Sequence, residues 1–293
     1  MLCNRREFIR KTAALAAVAA ATPAVLASET FPGFRTITYN VYGAHGFAKT
    51  REAEPMLERA AGQIPMRLAM ELALHQPDII TFQESPREHT VAFIAKELDM
   101  HYGFFPSGYQ SKRKDSIGFP GAVISRFRIS EVVNCPLSGK ERPKDLFTRH
   151  WGRAVLESSG TKLVLYSAHL HPSDETVRAR EIDMMIEEMR PHIESGAAIL
   201  LQGDLNHAPG NPAYRRWQDA GFVDSWKKFS EGAELTFDSH EPYKRIDYVF
   251  AHGSLSGRVA GCKVLYQGNF RINHSDPSSF ALSDHIPVLA TFA

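Results

Sequence analysis

The chain has 293 residues, 43% hydrophobic and 23% charged, with a formal net charge of +1. This much apolar material builds a large core and excludes a disordered or fibrous chain. The near-zero charge offers no basic excess of the kind that drives nonspecific nucleic-acid binding, which disfavours a nuclease, although a local patch would be enough for one.

In chain order, residues 1–27 come first: a basic start, a short Ala-rich apolar run, and small residues before a cut after Ala27. That pattern is a signal peptide, too short and too weakly apolar for a stable membrane span. Arg5 and Arg6, followed by Phe8 and Ile9, resemble the twin-arginine export motif, from which Asn4 and Ile9 depart mildly. The resemblance implies a bacterial protein, exported already folded by the twin-arginine machinery and periplasmic or secreted. Cleavage removes Arg5, Arg6, Arg10, Lys11 and Glu7 and leaves the mature chain slightly negative. Cys3 leaves too, so Cys135 and Cys262 remain, too few for a disulfide framework and without zinc spacing. They are expected as two buried thiols, with one disulfide as the alternative. Residues 28–293 show no linker or repeat and read as one domain, expected to be a monomer.

Alternation predicts a strand over 34–41, and Leu57, Ala60, Ile64, Leu68 and Leu72 predict a helix over 55–76. A short strand follows at 78–84, a second helix at 87–98, a strand at 101–105 and another at 120–130 that ends at a basic bend. Residues 152–158 and 162–170 predict a hairpin turning at Ser158, Ser159 and Gly160. A third helix over 175–193 precedes strands at 198–203, 246–250, 262–267 and 286–293. Helices alternate with strands, yet hairpins interrupt them, so mixed sheets with covering helices fit better than a doubly wound parallel sheet. The scattered glycines of "NVYGAHGF" lack the dinucleotide-binding fingerprint.

Four strands end on residues able to bind metal or phosphate: Asn40, Glu84, His169, and Asp204 with Asn206. Ligands of open α/β folds gather beyond the carboxyl ends of strands, so such ends converging at one edge make a site. Asp247, inside an apolar strand where a carboxylate is costly unless paired, and the adjacent Asp284 and His285 join them. Each alone also reads as a turn, cap or core residue; their number and shared placement do not. His169 and His171 form a His-x-His pair that would face one side of a strand, a weak zinc alternative with no third ligand nearby.

The ordered series "TYNV", "FQES", "SAHLHP", "GDLNHAPGNPAY", "RIDYVF" and "LSDHIPV", with "GAVISRFRI", resembles the endonuclease/exonuclease/phosphatase superfamily, the fold of pancreatic DNase I, exonuclease III and bacterial sphingomyelinases. The resemblance spans Phe34 to Ala293. It implies a four-layer α-β-β-α sandwich of two mixed β-sheets covered by helices. It implies an exported, metal-dependent hydrolase of phosphoester bonds, a phosphodiesterase or phosphatase in which water attacks phosphorus. The alternatives are a nuclease and a catalytically silent binding module on the same fold. By the resemblance, Glu84 holds Mg²⁺ or Mn²⁺ with Asn40 and Asp284 near or in its shell, and His285 lies on the general-base side, oriented by Asp247. Asp204 and Asn206 position the water and contact phosphoryl oxygens, and His169 donates to the phosphate or leaving group. Arg149, His150, Trp151 and Arg153 are suggestive groove contacts, and residues 111–115 a charged loop.

Overall fold

Strands that alternate polar and apolar residues need two different neighbours, and this chain supplies them by stacking two sheets face to face. The computed structural model describes residues 30–108, 117–137 and 141–293; the expected signal peptide and the 111–115 loop lie outside the described residues. The fold occupies one compact unit, Phe31–Ala293.

Among the described residues, thirteen strands and six α-helices follow in order: β1 (Phe34–Asn40), α1 (Glu54–Ala60), α2 (Ile64–Ala73), β2 (Ile79–Gln83), α3 (Glu88–Leu98), β3 (His101–Phe105), β4 (Gly121–Ser125), β5 (Arg128–Asn134), β6 (His150–Ser158) and β7 (Thr161–His169). Then come α4 (Glu175–Glu194), β8 (Ile199–Asp204), α5 (Pro212–Asp219), β9 (Val223–Asp224), α6 (Ser225–Lys228), β10 (Ser230–Glu231), β11 (Asp247–His252), β12 (Val259–Val264) and β13 (Val288–Phe292). One sheet has seven strands in the order β10-β12-β13-β1-β2-β4-β3, and the other six in the order β5-β6-β7-β8-β11-β9. Both are mixed, since β1 runs parallel to β2 and β7 to β8 while the other long pairs are antiparallel. The four-layer architecture expected from the sequence is the one observed.

Side-chain period fixes the layers. Leu200 on β8, Leu163 and Leu165 on β7 and Val249 on β11 belong to a buried cluster that also holds Leu68 and Leu72 of α2 and Val91 and Ile94 of α3. The intervening residues, Ile199, Leu201, Tyr166, Tyr248 and Phe250, join Met185 of α4 and Trp217 of α5 in a second cluster. The inward-facing positions at the carboxyl ends of β7 and β8 are therefore His169 and Asp204, at the mouth of the layer between the sheets.

Three local departures have plain causes. The helix expected over 55–76 breaks at a 3₁₀ turn over Ala61–Gln63, because Pro65 in the first turn of α2 has no N–H to continue the α1 ladder. The strand expected over 120–130 is two strands, and its basic bend at Arg126 carries the chain from the seven-stranded sheet to the six-stranded one. Helix α5 was hidden in a turn-rich stretch; Asn211 caps it, its side chain accepting from Ala213 N–H at 2.9 Å. Among the described residues, no helix is long and apolar enough to cross a membrane. Cys135 and Cys262 are both free thiols.

Candidate active site

Strand pairing puts three of the expected residues in one row. In register, His169 of β7 faces Asp204 of β8, and Asp204 faces Asp247 of β11. Two carboxylates directly opposite each other on neighbouring strands repel, and both are buried. His285, carried in from the loop before β13 on the other sheet, relieves that repulsion. Its Nδ1 lies 2.9 Å from an Asp247 oxygen and its Nε2 3.6 Å from Asp204. Although burial works against a charged ring, Asp247, Asp204 and Asp284 together raise the His285 pKa well above its ordinary value.

The other wall of the site comes from β1 and β2. Asn40 is 1% exposed and its amide nitrogen donates to Asp204 at 3.1 Å and to Glu84 at 3.4 Å, so one side chain ties the two sheets together at the mouth. Its oxygen accepts from Tyr42 N–H at 3.2 Å, which fixes the amide orientation. Asn40 is thus first a donor between carboxylates, with one oxygen lone pair left over for the ligand role expected of it. Glu84 has a left-handed backbone (φ 46°), an uncommon conformation for a non-glycine residue. Its carbonyl is clamped by Gly43 N–H at 2.7 Å. Burial raises the Glu84 pKa, the Asn40 hydrogen bond opposes this, and the charge of Asp284 adds to it. Asp284 is likewise raised, by burial first.

His169 stands 3.5 Å from Asp204, and burial drives its pKa well below the ordinary value, so it is neutral and any donation to substrate is an N–H bond without charge. Asn206 stands beside them, its backbone N–H donating to an Asp204 oxygen at 3.2 Å. It takes a left-handed backbone (φ 52°), and its amide donates to the Leu170 carbonyl at 3.0 Å, pinning the β7 and β8 loops together. That bond uses one of its two amide N–H donors and leaves the other and the side-chain oxygen for water or substrate. The shared strand face on which the His-x-His zinc alternative rested is absent, since His171 lies past the end of β7, where its Nδ1 accepts from Asp174 N–H at 3.0 Å. Among the described residues, the grouping able to hold a metal is Asp204, Asp247 and His285, with ligand atoms within 4.8 Å of one another; Glu84 and Asp284, the expected ligands, are not in it.

Of the four suggested groove contacts two reach the site: His150, opposite His169 in register with the rings 6.5 Å apart, and Arg149. Its guanidinium stacks 4.8 Å above the Phe119 ring and interacts electrostatically with Glu84 and Asp204. Trp151 is buried and donates to Cys135 Sγ at 3.1 Å, His150 is buried, and Arg153 pairs with Glu131 and Glu188. Glu181 of α4 braces the Arg149 neighbourhood, accepting from Phe147 N–H at 2.7 Å and His171 N–H at 2.9 Å. Ser283, inside the "LSDHIPV" motif but given no role there, is a further participant: it donates to the Asn40 carbonyl at 2.6 Å and anchors the Asp284–His285 loop to β1. Beside Glu84 opens a cavity of about 550 Å³ lined in part by Tyr42, His45, Arg87, Thr90 and Phe119.

Solved structures share this fold. The mannosyl-6-phosphatase of Bacteroides thetaiotaomicron superposes with a TM-score of 0.67 at 20% identity, covering 88% of this chain and 98% of that one. A functionally unknown conserved protein of Enterococcus faecalis gives 0.66 at 18% identity over 88% and 99% of the two chains. Truncated Caenorhabditis elegans TDP2 gives 0.60 at 19% identity over 89% and 97%. No curated protein sequence matches the chain. Residues 37–285 match the description "Endonuclease/Exonuclease/phosphatase family". With the ordered motifs, the two stacked sheets and the polar row at their mouth, that match makes the chain a member of the endonuclease/exonuclease/phosphatase family.

Proposed function

We propose that this chain is an exported, divalent-metal-dependent hydrolase of a compact phosphoester, a phosphatase or phosphodiesterase. The observation that supports it best is the row of His169, Asp204 and Asp247, bridged by His285 and tied through Asn40 to Glu84 on the opposite sheet. Buried like charges gathered this way cost stability, which marks a site shaped for chemistry.

The donor set fits a hard cation. Glu84 and Asp284 offer carboxylate oxygens, each made harder to ionise by burial, and an all-oxygen set suits Mg²⁺ or Mn²⁺. Asp204, Asp247 and His285 already satisfy one another, so Glu84, with Asp284 and the remaining lone pair of Asn40, would hold the ion. When bound, it neutralises phosphoryl charge and stabilises the leaving oxygen. The chain's own groups do the rest. Burial pushes Asp204 up to about 7, with the His285 charge opposing, so its carboxylate stands where a general base works best at neutral pH. Asp204 takes the proton of the attacking water, the charged His285 beside it holds the carboxylate ready, and Asp247 orients the ring. Arg149 supplies positive charge to the phosphoryl oxygens, as guanidinium groups do in other phosphate sites.

The cavity of about 550 Å³ beside Glu84 has room for a sugar phosphate or mononucleotide. A sugar phosphate is a natural first probe, given the mannosyl-6-phosphatase among the similar structures. The deciding experiment offers the chain plasmid DNA, RNA, sphingomyelin, inositol phosphates, sugar phosphates and nucleotides with Mg²⁺ or Mn²⁺. Turnover of a small phosphoester is expected, abolished by EDTA and restored by the metal. Full activity after thorough chelation removes the metal role, preferred cleavage of DNA or RNA replaces the reading with a nuclease, and binding without turnover replaces it with a silent module. Export rests on Arg5 and Arg6: replacing both with Lys should hold the protein in the cytoplasm, and unchanged periplasmic yield would reject the assignment.

A further inference from the structure

The layer between the two sheets is not apolar throughout. Directly beneath the site lie Thr36 and Thr38 of β1, Thr81 and Gln83 of β2, and Gln202 of β8, all fully buried. They form a closed hydrogen-bond network. Thr36 donates its hydroxyl to the Gln202 oxygen at 2.8 Å, and the Gln202 amide donates to Thr81 at 2.9 Å and to the Ile37 carbonyl at 3.3 Å. Thr81 donates to Thr38 at 3.2 Å, Thr38 to the Gln83 oxygen at 3.1 Å, and Gln83 back to Thr81 at 3.3 Å. Among the bonds in this set, those of Gln202 cross from one sheet to the other.

The period of two places this network under the chemistry. Thr36, Thr38 and Asn40 alternate along one face of β1, Gln202 and Asp204 share a face of β8, and Gln83 immediately precedes Glu84. The contacts that build the site also cross between the sheets: Asn40 to Asp204, and His285 to Asp247. Apolar packing is non-directional and leaves the offset of two stacked sheets weakly defined. Hydrogen bonds are directional, and a satisfied buried network contributes little net stability while specifying one arrangement.

We propose that the Thr36–Thr38–Thr81–Gln83–Gln202 network is a positioning device that sets the offset of the two sheets, and thereby brings Asn40 and Glu84 on one sheet to Asp204 and His169 on the other. None of the five touches substrate. The inference rests on the hydrolytic reading of the site for its kinetic consequence, while the geometry it describes stands apart from turnover. A displacement of about 1 Å costs up to about a hundredfold in rate, so a loosened offset lowers kcat while leaving the substrate cavity beside Glu84 in place.

The test compares hydroxyl-keeping and hydroxyl-removing variants. Thr36→Ser retains the donor to Gln202 and is expected to keep wild-type kcat. Thr36→Val and Gln202→Met are expected to lower kcat at least about tenfold with KM changed less than about threefold. The fivefold apolar variant (Thr36→Val, Thr38→Val, Thr81→Val, Gln83→Met, Gln202→Met), which removes partners together, is expected to fold cooperatively and lose activity likewise. Wild-type kcat in the folded fivefold variant overturns the proposal. Should that variant not fold, wild-type kcat in both folded single variants overturns it equally. A second readout needs no turnover: NMR of the His285 Nδ1 proton, hydrogen-bonded across the sheets to Asp247, should keep its resonance in Thr36→Ser and shift or broaden in Gln202→Met. If the unmodified chain hydrolyses no phosphoester, the functional reading fails and the NMR arm still decides this one; an unmoved resonance in Gln202→Met rejects it.

Discussion

At the scale of single residues, the site is a set of charges that hold one another in place. Asp204 touches Asn40, His169 and His285, so it couples both sheets to the His285 imidazole. Asp204→Ala relieves the repulsion with Asp247 and should leave a folded chain, whereas His285→Ala leaves those two carboxylates uncompensated, so its fold is checked by circular dichroism before its kcat is read. Asp204→Ala and His285→Ala are each expected to lower kcat by at least about a hundredfold, the range for a positioned acid or base. Near-normal turnover by either on the substrate found in the panel would overturn its role. Asn40, Glu84, Asp204, Asp247 and His285 were legible in the sequence because each sits where a strand ends or where an apolar strand tolerates a charge. Their individual bonds were not. Asn206 spends its amide on Leu170, and Arg149 enters the site by stacking on Phe119, contacts between segments far apart in the chain that no local pattern encodes.

Elements deliver these side chains, and β8 carries the heaviest constraint. Gly203 stands between Gln202 and Asp204, and a Cβ there would come within 1.9 Å of the Ala168 carbonyl oxygen on β7. That oxygen belongs to a central parallel pair and has nowhere to go, so a side chain must part the two strands that align His169 with Asp204. Gly203→Ala is expected to destabilise the fold by about 3 kcal/mol, the upper range for overpacking a core. A denaturant midpoint unchanged from the parent would show that β7 and β8 can separate without cost. The long strands and α3 and α4 could be read from period alone. The break between α1 and α2 and the passage of β4 into β5 could not, since periodicity reports which face is apolar and not which sheet that face joins. Local helix breakers were present at Gly62 and Pro65, but an uninterrupted apolar spacing outweighed them.

For the molecule as a whole, the ledger of protons decides how stability varies with pH. Burial pulls His150 and His207 down to about 3 and His169 well below its ordinary value, so all three are neutral when folded and titrate near 6.5 when unfolded. Groups with a depressed folded pKa give stability that is complete above the unfolded pKa and is lost as the pH falls below it. Asp204 works the other way: with its pKa raised to about 7, the folded state binds its proton first, which offsets one of the three histidines through the acid range. Three histidines against one carboxylate leave the unfolded chain binding more protons than the folded one, so stability should fall as the pH drops from about 6.5 toward 5. On the alkaline side His285 takes over. Its folded pKa is raised by its carboxylate neighbours, so its contribution is complete below 6.5 and drains away as the pH climbs toward that raised value. Urea unfolding in EDTA from pH 5 to 9 should therefore trace a dome with its maximum near neutrality and the steeper limb on the acid side. A flat profile between pH 5 and 7 would mean that the buried histidines of the β6 and β7 strand ends and the β8 loop are charged in the native state. The row of residues at the mouth of the sheets would then carry more positive charge than its hydrogen bonds describe.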